Sequence, residues 1–225
     1  RHRDDYISSR LRDISSSLGS ASVNSQYLRE LETVFNETSE ASLNNALASF
    51  FKGINDLTQN TENMSSRATL LEKANTLTDT FHRIVDELSQ MKIFIQQSIE
   101  SKISEVNKLS ESIANINKEI SVIHVRDIES NDLLDKREAL LQDLSKLVNI
   151  SVTSQDNGMV SVSTPGGTLV SGSSSASFAS ELEDFGEIEV VNAKNKNVKY
   201  AFHSGEIKGL QDFYNVTLVR YREKL

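Results

Sequence analysis

The densest group of carboxylates in the chain is the first place where chemistry could occur. Asp132, Asp135 and Glu138 follow one another at spacings of three residues, so in a helix they lie along one flank. Paired carboxylates can act as a general acid and a general base. However, the sequence around them offers no histidine, nucleophile or oxyanion-stabilising group. Because Asp132 also suits the start of a helix, where it favours the dipole, we interpret the group as a charged helix start and expect no catalytic residue.

The sequence also gives no support for a metal site, a cofactor site or a phosphate-binding loop. The four histidines are far apart in the sequence and form no pair at helical spacing: His2, His82, His124 and His203. The absence of cysteine removes disulfides, thiolate zinc sites, iron–sulfur clusters and cysteine nucleophiles. The glycine-rich run 164–172 lacks the Gly-Lys-Ser/Thr ending of a phosphate loop, and a strand follows it. We expect no metal site, no cofactor and no enzymatic activity.

Composition excludes several kinds of partner. The 225 residues carry a net charge of −8, which argues against binding to nucleic acid or to an anionic membrane surface. No run of about 18 apolar residues exists, so we expect no bilayer-spanning segment. The chain begins with Arg1 rather than Met and shows no signal-peptide pattern. We therefore expect a central fragment of a longer protein, lacking both termini.

Helical patterns fill residues 1 to about 148. In the first segment four apolar residues recur at steps of four, three and four, which places them on one helix stripe: Ile7, Leu11, Ile14 and Leu18. Gly19 and Ser20 then predict a helix end. A second segment places Val23, Tyr27, Leu31 and Val34 on one face.

The strongest signal is one long apolar seam. From Phe81 to Ile123 apolar residues recur with an average step of 3.5, the spacing of a coiled coil, and the other face is polar. A helix through residues 65–124 would be about 90 Å long, which predicts an elongated shape. Ser130 or Asn131 can cap the next helix, with Asp132 in its first turn. Residues 204–225 predict a last helix.

Between these helices the pattern changes to alternation of apolar and polar residues. Residues 150–153, 160–163, 168–170, 188–191 and 198–202 predict strands. Asn157-Gly158 and Pro165-Gly166 predict turns, and the serine-rich run 172–177 predicts a loop. The predicted fold is mainly α with a small β part. It consists of an elongated antiparallel helix bundle or coiled coil (about 1–148 and 204–225) and an inserted antiparallel β subdomain (about 149–203).

Six stretches in the same order carry a resemblance to a known family. They are RDDYISSRLR at 3–12, LASFFKGINDL at 47–57 with RATLL at 67–71, IANINKEI at 113–120, NDLLDKREALLQDLSKLVNISV at 131–152, DNG at 156–158 with GTLVSG at 167–172, and GEIKGL at 205–210. Together they resemble the flagellar hook-associated protein 1 family, and the likeness covers nearly the whole chain. The most specific piece matches the family motif at Asn131, Asp132, Leu133, Leu134, Asp135 and Arg137, which we interpret as a helix cap and packing positions.

The resemblance implies a non-enzymatic structural subunit that joins the flagellar hook to the filament. It implies three partners: the hook protein, hook-associated protein 3, and an export chaperone that binds outside this fragment. It also implies export from the cytoplasm without a cleaved signal peptide, an extracellular location, and self-assembly of the full-length protein. The isolated fragment is expected to be a monomer. Two alternatives stay open: another axial protein, such as hook-associated protein 3 or flagellin, and an unrelated coiled-coil scaffold or adhesin.

Overall fold

The computed structural model describes residues 2–35, 42–59, 61–124, 131–183 and 186–223. In these ranges the chain is mainly helical with a small antiparallel β part, which confirms the predicted fold class. Two compact units are present: Arg1–Ser25 with Ile95–Thr217, and Gln26–Phe94 with Leu218–Leu225. The first unit contains the six strands that the described ranges include, together with helices. The division predicted from the sequence, a helical domain (1–148 plus 204–225) and a β subdomain (149–203), stays a prediction.

Six α-helices and one π-helical turn are described. They are α1 (His2–Phe35), α2 (Leu43–Gln59), α3 (Met64–His124), α4 (Asn131–Leu147), α5 (Glu206–Asp212), the π-turn (Phe213–Thr217) and α6 (Leu218–Glu223). Of the two residues predicted to cap α4, Ser130 lies outside the described residues. Asn131 is the first residue of α4, and Asp132 lies in its first turn. α2 begins after Ser42, whose Oγ accepts a hydrogen bond from the Asn45 amide at 3.2 Å. This is the usual N-cap arrangement, and it satisfies an amide that the helix itself leaves free.

The helix end predicted at Gly19 and Ser20 is wrong, because α1 continues without a break to Phe35. Gly19 is buried, and a Cβ added there would overlap the carbonyl oxygen of Lys146 at the end of α4. A residue without a side chain therefore lets two backbones approach closely. The signal that resembles a helix stop marks close packing instead.

The apolar stripe in the first part of α1 lies on its exposed side. Ile14 and Leu18 are 58% and 66% exposed, and Ile7 and Leu11 are exposed as well. The buried residues in this part of the helix are polar or small: Arg12, Ser16 and Gly19. Further along, Tyr27, Leu31 and Val34 are buried, which confirms the face predicted for the second segment.

The long seam is confirmed in α3, with two unexpected members. Nine of its predicted apolar positions are buried: Ile84, Leu88, Met91, Ile95, Ile99, Ile103, Val106, Ile113 and Ile120. Ser110 and Asn117 are fully buried on the same face, whereas the predicted members Leu109 and Ile116 are only half-buried. With the two polar residues included, the buried face from Ile84 to Ile120 advances 36 residues in ten steps. That average of 3.6 is the period of a straight α-helix.

The β part belongs to the first unit and forms two antiparallel sheets. β1 (Ser151–Ser154), β2 (Val160–Thr164), β3 (Gly167–Ser171) and β4 (Ser174–Ser175) pair in sequence order, and β5 (Phe178–Leu182) pairs with β6 (Ile188–Asn192). Both predicted turns are confirmed, with positive φ at Gly158 and Gly166. The predicted loop 172–177 contains the two-residue strand β4. The sequence did not predict β5, because its serine and glutamate obscure the alternation of apolar and polar residues.

The strand predicted at 198–202 is wrong. That segment makes only an isolated bridge, between Lys199 and Val191. The Tyr200 amide donates to Val190 O in β6 at 2.9 Å, whereas the Ala201 amide donates to Pro165 O in the β2–β3 turn at 3.2 Å. Because the Tyr200 and Ala201 amides bond to different sheets, the segment connects the two sheets and does not continue as a further strand along β6. Two aromatic residues of the segment, Tyr200 and Phe202, are buried and pack against Phe178 of β5. Their ring centroids lie 4.3 Å and 5.7 Å from the ring centroid of Phe178.

Candidate functional site

The carboxylate group singled out in the sequence lies on the surface of α4. Asp132, Asp135 and Glu138 are exposed. Glu138 accepts a hydrogen bond from Arg12 Nη1 at 2.9 Å, and the Arg12 side chain is only 10% exposed. This contact ties α4 to α1 in the first unit and gives the buried guanidinium an opposite charge. The geometry therefore assigns Glu138 a structural contact.

Within the described ranges, no three histidine, aspartate or glutamate side chains come together closely enough to hold a metal ion. No helix in those ranges is both long and apolar enough to cross a membrane. The expectation of no catalytic, cofactor or metal site stays a prediction.

One polar side chain in the interior of the first unit, that of Asn117 on α3, makes several long-range hydrogen bonds. It is fully buried. Its Nδ2 donates to Val160 O at 2.8 Å and to Gly172 O at 2.7 Å. Its Oδ1 accepts from the Val160 amide and from Arg137 Nη1, both at 3.2 Å. All four hydrogen bonds available to a primary amide are thus made, three of them with main-chain atoms.

Arg137 on α4 completes this arrangement, which we call the Asn117–Arg137 cluster: Asn117, Arg137, Gly158, Val160 and Gly172. Besides the bond to Asn117, Arg137 Nη1 donates to Gly158 O at 2.8 Å. Burial lowers the pKa of Arg137, and the negative charge of Glu138 partly opposes this. An arginine remains charged even so. One side chain therefore connects α3, α4 and the tip of the β1–β2 hairpin.

Two more asparagines attach strands in the same way. Asn107 on α3 donates to Phe178 O at 3.0 Å and accepts from the Phe178 amide at 2.7 Å. Asn215 in the π-turn accepts from the Ile188 amide at 2.9 Å and donates to Ile188 O at 3.1 Å. Like Asn117, each pairs with both polar main-chain groups of one strand residue, as a neighbouring strand would. We call Asn107, Asn117 and Asn215 the strand-pairing asparagines.

A second close contact in this unit is the glycine junction, formed by Ser16, Gly19, Ser204, Gly205 and Gly209. The Gly205 amide donates to Ser16 O at 2.9 Å, and the hydroxyls of Ser16 and Ser204 lie 2.6 Å apart. Gly205 has φ of 101°, and a Cβ there would overlap the carbonyl oxygen of Leu147. The junction therefore requires glycine for both conformation and space.

Lys102 on α3 adds an ionic contact close to this junction. Its Nζ lies 2.9 Å from Glu206 Oε2 and 3.3 Å from Glu105 Oε2. Burial lowers the pKa of Lys102, but the hydrogen bond to Glu206 and the charges of Glu206 and Glu105 more than offset this, so the pKa is raised. The lysine stays protonated, which favours the ion pairs.

The stretches that carry the family resemblance converge in these contacts. Asn117 comes from IANINKEI, Arg137 from NDLLDKRE, Gly158 from DNG and Gly172 from GTLVSG. The glycine junction adds Gly205 from GEIKGL. Sequence reasoning interpreted Arg137 as a packing position and missed Asn117. The available signal was a polar residue four positions after Ile113 on the apolar face of the seam.

Comparisons with known proteins agree with this picture. A family model described as the flagellar hook-associated protein FlgK helical domain matches residues 28–225. Flagellar hook-associated protein 1 of Bacillus subtilis is 27% identical over 169 residues, covering 75% of this chain and 33% of the relative. The Salmonella typhimurium protein of the same name is 29% identical over 182 residues, covering 80% of this chain and 33% of the relative.

A solved structure shares the fold. The flagellar hook junction protein FlgK from Burkholderia pseudomallei superimposes with a TM-score of 0.79 at 24% identity, covering 93% of this chain and 39% of that chain. This chain spans about a third of the length of the curated relatives it matches. Because the family model covers most of its residues and the resemblance is confirmed, the chain belongs to the flagellar hook-associated protein FlgK helical domain family.

Proposed function

We propose that this chain is the helical part of a structural, non-enzymatic subunit that joins the hook to the filament of the bacterial flagellum. Membership of the family supports the role. The observation that carries it is the set of atoms that the motif residues bond: the fully buried Asn117 and the half-buried Arg137 both bond main-chain atoms of the same unit. Because all four hydrogen bonds of the Asn117 amide are made within the fold, Asn117 is not available to bind a substrate, and we infer that the motif serves the shape of the subunit.

The proposal includes the location of the protein, its partners and its oligomeric state. The protein leaves the cytoplasm without a cleaved signal peptide and acts outside the cell, between the hook protein and hook-associated protein 3. Its export chaperone binds outside these residues, and self-assembly requires the full-length protein. The net charge of −8 supports the absence of nucleic-acid and membrane partners. On its own this chain is a monomer, which light scattering coupled to gel filtration would test by giving one mass at every concentration.

The test of location is immuno-electron microscopy of flagella from the bacterium that encodes the chain, with antibodies raised against these 225 residues. We expect one narrow band of label where hook meets filament. Label along the whole filament would favour a flagellin-like subunit, and a band displaced to the filament side would favour hook-associated protein 3. Flagella without label would contradict the proposal and favour a scaffold or adhesin. Antibodies absorbed with the purified chain provide the control.

A further inference from the structure

The tip of the β1–β2 hairpin combines an exposed asparagine with a glycine. Asn157 is exposed, and Gly158 follows it with φ of 79°. Asn157 Oδ1 accepts a hydrogen bond from the Met159 amide at 3.1 Å. The Gly158 amide donates to Gln155 O, also at 3.1 Å. The pair therefore lies in an ordered turn whose polar atoms are engaged.

An asparagine followed by glycine can react with its own backbone, because glycine has no side chain to shield its nitrogen. The Gly158 nitrogen loses its proton to water or hydroxide and attacks Asn157 Cγ. The new N–C bond closes a succinimide ring, the Cγ–Nδ2 bond breaks, and ammonia leaves. Water then adds to either ring carbonyl and opens the ring to aspartate or isoaspartate. The sequence of steps consumes only water and needs no oxidant or reductant.

The fold restrains the atoms that must move in this reaction. The Gly158 nitrogen is hydrogen-bonded within the turn, and Gly158 O is held by Arg137 Nη1 at 2.8 Å. The glycine also packs against α3, where a Cβ would lie 3.1 Å from Ile120 Cγ2. Ring closure requires the peptide after Asn157 to rotate out of these contacts. The reaction therefore proceeds through molecules in which the hairpin tip has opened locally.

We propose that Asn157 is a deamidation site whose rate is set by opening of the hairpin tip, and that its isoaspartyl product detaches that tip from Arg137. Isoaspartate carries the chain through its side chain and so adds a methylene to the backbone. Gly158 O is thereby displaced from Arg137, which loses one of the two acceptors that it has in the Asn117–Arg137 cluster.

The experiment follows deamidation of the full chain in mildly alkaline buffer by peptide mapping and mass spectrometry. Asn195 is the internal control, because its Oδ1 also accepts an amide two residues ahead, at 3.2 Å, but lysine follows it. In urea-unfolded chain we expect Asn157 to react several-fold faster than Asn195. In folded chain we expect Asn157 to react several-fold more slowly than in unfolded chain. Equal rates for Asn157 in folded and unfolded chain, or no excess over Asn195 in unfolded chain, would overturn the proposal.

A variant tests the role of Arg137. Arg137→Gln removes the hold on Gly158 O, so we expect faster deamidation of Asn157 in chain that circular dichroism shows to be folded, with the rate at Asn195 unchanged. An unchanged Asn157 rate in the folded variant would contradict the proposal. If the variant does not fold, the wild-type chain is followed at urea concentrations below its unfolding transition. There the Asn157 rate must rise with urea, and a constant rate would overturn the proposal.

Discussion

Two consecutive stretches of α3 in the first unit contribute differently to the interior. Between Ile95 and Ile103 every buried residue is isoleucine, and apolar contacts of this kind impose little direction. Between Val106 and Ile120 the helix also buries Ser110 and Asn117, and Asn117 bonds defined main-chain atoms of the strands. The comparison indicates that isoleucine contributes general stability, whereas the amides fix where each strand lies.

The largest effect is expected from Asn117→Leu. The change leaves the buried Val160 N–H and Val160 O, and the partly buried Gly172 O, without their partner, so we expect the free energy of unfolding to fall by about 3–5 kcal/mol. Ile99→Val, which removes one methylene from the apolar stretch, should cost only about 0.5–1.5 kcal/mol. Urea unfolding followed by circular dichroism measures both values.

The matched control is Asn115→Ala, because Asn115 lies on the same helix but is exposed. It should change the free energy of unfolding by less than about 0.5 kcal/mol. If Asn117→Leu costs no more than Ile99→Val, the directional role of the amide is contradicted.

A second directional contact is tested by Gly19→Ala. In an unconstrained helix alanine is more stable than glycine by about 1 kcal/mol. At Gly19 the added Cβ would overlap Lys146 O, a main-chain atom, so we expect a net loss of about 1–3 kcal/mol.

Gly53→Ala in α2 is the comparison variant, because the nearest atom to its added Cβ is Lys73 Cδ at 3.0 Å, which belongs to a flexible side chain. Thermal unfolding of both variants should show the larger loss at Gly19. A larger loss at Gly53 would contradict this prediction, because it would mean that the main chain around Lys146 O can move aside for the added Cβ.

Ser110→Ala should act in the opposite direction. Ser110 Oγ is fully buried, and among the residues that the structure describes it has no hydrogen-bond partner. An unpaired buried hydroxyl costs stability, so its removal should raise the free energy of unfolding by about 1 kcal/mol. Urea unfolding checks this, and a loss as large as that of Ile99→Val would show that the hydroxyl has a stabilising partner.

The smallest effect is a pH dependence from Lys102. Its pKa is raised in the folded chain above the usual 10.5. Its ion pairs therefore contribute stability below pH 10.5, and this contribution is lost as pH rises through the folded-state pKa. Lys102→Met should lose less stability than wild type over that alkaline range. Unfolding curves of the two chains would contradict this if their difference did not change with pH. Because the side chain is about a third exposed, added salt should shrink the effect.

Much of the fold could be predicted because the period of the apolar residues indicates a helix, and in α3 it also matches the buried face. Ile84 to Ile120 shows this, and so do the turns at Gly158 and Gly166, where positive φ requires glycine or asparagine. The stop predicted at Gly19 failed because a glycine that ends a helix and a glycine that lets two backbones touch look the same in sequence.

The candidate site could be predicted only in part, because its partners are far apart in sequence and are main-chain atoms. Arg137 was singled out through its motif, but its partner Gly158 is 21 residues away. Asn107 and Asn215 bond Phe178 and Ile188, residues 71 and 27 positions distant. No local pattern encodes such pairings. The exposed stripe Ile7 to Leu18 failed as a guide to burial, because a regular apolar period does not say which face is covered.

The most direct test of the account is residue-resolved hydrogen exchange of the Val160 amide, which donates to Asn117 Oδ1. We predict that this amide is protected in the wild-type chain as strongly as the core of α3. In Asn117→Leu it should exchange much faster, while the Phe178 amide, which Asn107 holds, changes less. Equal protection of Val160 in both chains would contradict the claim that the family motif residues serve to attach strands to helices.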